Sequence, residues 1–110
     1  MYQVRLTEVG FNCLQEIESF QIERSRDTAA AAAFTDRLLD DIESSLSENP
    51  LLYRQSLELA NYGIDCRERI DTLGYRTLYS VNGNRVEVLL ILHQHQSIQH
   101  ALYRHSLVYR

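Results

Sequence analysis

The chain has 110 residues, 11 basic and 15 acidic, for a formal charge of −4, with 45% hydrophobic and 24% charged residues. These values fit one compact domain over residues 1–110 and exclude wholesale disorder. They argue against a dedicated nucleic-acid coat protein, and no stretch nears the roughly 20 apolar residues that span a bilayer.

Tyr2, Val4 and Leu6 alternate with Gln3, Arg5 and Thr7, the pattern of a short, half-buried strand. Thr7 can cap a helix that follows, with Glu8 in its first turn. Val9, Cys13, Ile17 and Phe20, widened by Leu14, fall on one face of that helix. The pattern resets at Arg26-Asp27-Thr28, where Asp27 or Thr28 can cap a second helix. Ala29 to Ala33 read as helix interior, and Phe34, Leu38, Ile42 and Leu46 recur every four residues. Asn49-Pro50 stops the helix, which makes the pair an αα-hairpin.

Residues 51–63 read as loop with a short helical turn around Leu57. Ile64, Cys66 and Ile70 then alternate with Asp65, Arg67 and Arg69, while Glu68 breaks the apolar side. Tyr75 to Val81 is a strand, Asn82-Gly83 a hairpin turn, and Arg85 to His93 a central strand, apolar on both faces near its end. Ser97 can cap a short terminal helix. The order predicts an α+β fold: an N-terminal strand, an αα-hairpin, a three-stranded antiparallel sheet with the hairpin packed on one face, and a short C-terminal helix.

Charge is unevenly spread. Residues 1–60 carry five Arg and eleven acids, whereas residues 61–110 carry six Arg, four acids and all four His. Lys is absent. The second half therefore has room for a local anionic partner. Cys13 and Cys66 are too few and too far apart for a disulfide framework and read as reduced, buried thiols. Met1 to Arg5 has no apolar signal-peptide core, so a cytoplasmic protein is expected.

The order of elements, together with Arg67-Glu68-Arg69-Ile70, Gly74 to Val81, Arg85 to His93 and Glu48-Asn49-Pro50, resembles the RelE/ParE superfamily of small bacterial toxins from toxin–antitoxin pairs. The resemblance covers nearly the whole chain. It implies a cognate antitoxin whose C-terminal segment wraps the toxin and whose N-terminal half binds operator DNA. The toxin then reaches DNA only through the antitoxin, and a homo-oligomer or a hetero-oligomer with the antitoxin is expected. ParE-like members poison DNA gyrase; RelE-like members are ribosome-dependent endoribonucleases that cut mRNA. A non-toxic member that acts only in the repressor complex is a third alternative.

RNA cleavage by a 2′-hydroxyl needs a base, an acid and cations on the phosphate. Arg76, His93 and Glu68 are the candidates for a nuclease, with His95 beside them. A two-residue turn at Asn82-Gly83 sets Arg76 opposite Leu89, so Arg76 and His93 are expected on one sheet face, roughly 13 Å apart along the strand. The alternative is that Arg76 pairs with Glu87 or another carboxylate on the sheet and His93 is a strand-end residue bonded to backbone. The net acidic charge and the lack of Lys favour the ParE-like branch over the ribosomal one. Locally, residues 72–110 still carry four Arg against Glu87.

Arg67, Arg69 and Arg76 are the expected antitoxin-binding cations, facing carboxylates on an amphipathic segment. Tyr103 and Arg104 are the expected target-binding residues, as the resemblance implicates the region after the last strand. The counter-reading is that Leu102, Leu107 and Val108 complete the core. No metal or cofactor is expected: His93-x-His95, with His100 and His105, reads as a solvated surface. Cys66 beside Arg67 and Arg69 is a weak candidate nucleophile.

Overall fold

A computed structural model describes residues 1–105 and 107. The expectation for Val108 lies outside the described residues. The order is β1 (Gln3–Leu6), α1 (Glu8–Ser25), α2 (Thr28–Glu48), a 3₁₀ turn (Pro50–Leu52), α3 (Leu57–Ala60), β2 (Arg67–Ile70), β3 (Tyr75–Asn82), β4 (Arg85–His93) and α4 (Ile98–Arg104). No helix among the described residues is long and apolar enough to cross a membrane.

The fold is α+β, and its sheet has four strands, not three. The spatial order is β1-β4-β3-β2, with β1 parallel to β4 and the other pairs antiparallel. The reason lies in β4. Its apolar side chains are buried on both faces, so the backbone groups on its far edge need a protein partner, and β1 supplies it.

The helices form where the caps dictate. The Thr7 side chain accepts from the Gly10 amide at 3.1 Å, and Asp27 accepts from Ala30 at 3.0 Å. Arg26 between them takes the left-handed conformation, φ 58°, that turns the chain. Cys13, Leu14 and Ile17 of α1 and Leu38, Ile42 and Leu46 of α2 enter the core. Phe20 does not: it is 56% exposed, because the stripe of α1 rotates off the sheet towards its C-terminus. Ile70 is likewise 58% exposed, at the free end of edge strand β2.

The β3–β4 hairpin turns at Gly83-Asn84, one residue later than expected, with Asn82 opposite Arg85. Gly83 has φ 64°, so the glycine takes the first central position of the turn, as in a type II′ turn. A bulge follows. Tyr79 pairs with Val88 but Leu78 pairs with Leu90, so Leu89 is the extra residue. The turn's shift preserves which side chains share a face; the single inserted residue reverses it. Past the bulge, Arg76 lies opposite Leu92 and Tyr75 opposite His93.

Cys13 and Cys66 are both free and buried. Burial, with Glu68 and Asp65 nearby, pushes the Cys66 thiol up to about 12 from 9.0. Burial likewise pushes the Tyr79 phenol up to about 12 from 10.0. Such groups bind protons more tightly folded than unfolded. Their contribution is complete below their unfolded values and is lost as pH rises towards 12. Stability is therefore expected to fall from about pH 9 upward, by several kcal/mol in all, roughly 1.4 kcal/mol for each pH unit and group. Urea midpoints between pH 8 and 11 check this: Cys66→Val should flatten the slope between pH 9 and 10, where Tyr79 adds little.

Candidate functional site

The β2–β3 register sets Ile70 opposite Arg76 and Glu68 opposite Leu78, so Glu68 and Arg76 are diagonal neighbours on one face. Arg76 Nε donates to Glu68 Oε2, and Arg76 Nη2 stands 3.7 Å from Glu58 Oε1. Glu58 is placed by α3, which Ser56 caps by accepting from the Leu59 amide at 3.2 Å. The hydrogen bond to Glu68 outweighs burial and raises the Arg76 guanidinium above its ordinary value. This cation is held between two carboxylates, so a phosphate would have to displace them.

Arg67 and Arg69 alternate onto the opposite face, towards α2. Arg69 Nη2 donates to Asp41 at 2.8 Å, and Arg67 Nη1 donates to the Tyr53 carbonyl at 2.6 Å. Burial acts to lower the Arg69 pKa, but bonds to Asp41 and Tyr53 prevail and raise it. Its Nη1 is buried without a hydrogen bond.

His93 is also on this hairpin face. Its ring meets Tyr75 edge-on with centroids 5.4 Å apart, and Tyr75 meets Phe34 of α2 in the same way at 5.9 Å. The His93 Nδ1 accepts from the His95 amide at 3.4 Å, and its own amide donates to Gln96 at 2.7 Å. The three nuclease candidates are thus split: Glu68 and Arg76 touch, and His93 stands across the sheet from both. The shared face expected for Arg76 and His93 is not found, and the bulge at Leu89 is the reason.

The reactive reading of Cys66 fails for a simple reason. Its neighbours Arg67 and Arg69 point to other partners, and burial with nearby carboxylates holds the thiol protonated. Among the described residues, no three His, Cys, Asp or Glu are grouped so as to hold a metal ion.

Helix α4 starts at Ser97, which accepts from the His100 amide at 3.2 Å. Ile98, Ala101 and Leu102 are buried, while Leu107 is exposed, so among the described residues the core reading holds for Leu102 and not for Leu107. Arg104 binds Glu16 of α1 at 3.1 Å. His105 Nε2 lies 3.3 Å from the other Glu16 oxygen and 4.0 Å from Cys13 Sγ. The Tyr103 hydroxyl accepts from Gln99 at 3.5 Å. Sequence reasoning missed Glu16, Asp41 and Glu58. Only Glu58 left a local signal, the Ser56 cap two residues before it.

A helical hairpin packed on a four-stranded mixed sheet that carries an Arg-Glu pair defines the scaffold. The family model described as the ParE toxin of type II toxin–antitoxin systems, parDE, matches residues 12–98. The chain belongs to the ParE toxin family. The match runs from within α1 to the first residue of α4 and so includes the hairpin, the sheet and the Glu68–Arg76 pair. No curated protein matches the chain. Membership makes this a toxin of a type II pair and implies an antitoxin as its partner.

Proposed function

We propose that this ParE-family toxin acts in the cytoplasm by inhibiting DNA gyrase through protein–protein contact. The observation that carries the reading is the split of the nuclease candidates. Arg76 is engaged by Glu68 and Glu58 on one face, and His93 packs on Tyr75 on the other. An RNA phosphate cannot be gripped by Arg76 and receive a proton from His93 in that arrangement. The absence of Lys and the net charge of −4 support the same reading, since docking on ribosomal RNA favours a basic surface.

Tyr103 and Arg104 of α4 are the residues we assign to target contact. Antitoxin docking is assigned to Arg67, Arg69 and Arg76. These three lie on two faces of β2 and its neighbour, at the edge of the sheet. An antitoxin segment that meets all three must pass over the β2 edge.

The test is the purified toxin, freed of antitoxin, in two assays. One is gyrase supercoiling with trapped DNA cleavage; the other is cell-free translation with mRNA mapping. Trapped cleavage complexes without mRNA cuts are expected, with Arg104→Glu reducing them at least tenfold. Codon-phased mRNA cuts, abolished by Arg76→Ala, would replace this reading with the ribosomal one. Inactivity in both assays would leave a protein that serves only in repression with its antitoxin.

A further inference from the structure

A cavity of about 500 Å³ opens between α1, the His93 end of the sheet and α4. It lies apart from the Glu68–Arg76 pair, on the hairpin face. Its inner wall is apolar: Ile17, Ile91 and Leu92 are buried there, with the thiol of Cys13. Polar groups gather at one side. The buried Tyr75 ring carries its hydroxyl to Gln21, and burial holds that phenol above its ordinary pKa, so it remains an O–H. Arg24 and Arg104 stand on the rim, both exposed.

The charges at this rim decide the sign of a ligand. Glu16 is the one carboxylate in the lining, and it is already bound by Arg104 and His105. Arg24 has no carboxylate within ion-pair distance among the described residues. An apolar chamber of this volume with a few convergent polar groups is the form of a small-ligand site. A cationic or fully apolar guest would leave the Arg24 charge unanswered at the mouth. A carboxylate on a flat apolar body answers both halves of the lining.

We infer that this cavity binds a small aromatic or branched aliphatic carboxylate, with its apolar body against Ile17 and Ile91 and its carboxylate at Arg24. The cavity lies apart from the antitoxin contacts assigned above and shares only Arg104 with the gyrase contact. Because α4 forms one wall, through Arg104, an occupied cavity also ties α4 to α1.

The probe is 3-phenylpropanoate, titrated into the full ¹⁵N-labelled chain, with 3-phenylpropanamide as the neutral twin. Saturable shifts centred on Ile17, Ile91 and His93 are expected, with a Kd of about 1 mM or tighter for so small a ligand. The amide should bind at least tenfold more weakly. Arg24→Gln, at an exposed position outside the core, should weaken the acid tenfold and leave the amide unchanged. Equal binding of acid and amide overturns the inference. So does the absence of saturable shifts at the cavity, or an Arg24→Gln protein that binds the acid as well as the original.

Discussion

Gly10→Ala is expected to destabilise the protein by about 3 kcal/mol, the upper range for overpacking at a rigid contact. In an ordinary helix the same exchange stabilises by about 1 kcal/mol, since alanine is the better helix former. The sign reverses here because α1 lies directly on β4. A Cβ at Gly10 would stand 2.6 Å from the Val88 carbonyl oxygen, a backbone atom that cannot rotate away. That carbonyl also accepts from the Thr7 hydroxyl at 2.8 Å and the Thr7 amide at 3.1 Å. Moving α1 outward would stretch both bonds and loosen the cap of the helix. Urea unfolding checks this through a lower midpoint with an unchanged slope. Thr7→Ala, which removes the cap and one bond but adds no clash, should cost about 1 kcal/mol. If Gly10→Ala proves neutral or stabilising, the close contact of α1 on Val88 is wrong.

The second large effect is expected at the ion pair. Glu68→Ala should cost about 2–3 kcal/mol, somewhat less than for a fully buried pair, because Arg76 keeps some solvent access. Both side chains are 17% exposed, and Glu58 remains within 3.7 Å of Arg76 to take part of the charge. The loss arises mainly from a desolvated guanidinium left without its partner. A Glu68→Leu, Arg76→Met double variant should therefore recover most of it. The same double variant separates structure from function. A gyrase inhibitor acting through Tyr103 and Arg104 keeps its potency per folded molecule, whereas a ribosomal nuclease using Arg76 loses its activity.

The elements were legible because each carries its own local signal. Thr7 and Asp27 mark helix starts, Pro50 marks an end, and the alternation in Tyr75 to Val81 marks a strand. The placement of side chains across the sheet was not legible, because it depends on one residue. Leu89 sits in an unbroken apolar run from Val88 to Leu92, where nothing distinguishes a bulged leucine from a paired one. That residue alone moves His93 to the other face from Arg76. The expectation that Arg76 meets a sheet carboxylate was sound in kind, but the partners are Glu68 and Glu58, not Glu87, which binds Arg5 at 3.3 Å. The parallel docking of β1 was hidden for another reason. A four-residue strand at one end of a chain gives no sign of which distant edge it will join.

That docking also sets a timetable. β1 leaves the ribosome before its partner β4, with 82 residues separating Arg5 from Glu87 at their contact. At synthesis rates of roughly 5–20 residues per second, the first strand waits about 4–16 s for its neighbour. During that interval the helical hairpin has no β4 to cover Cys13, Ile17 and Ile42. The sheet, and any toxin surface built on it, is complete only once β4 has been made.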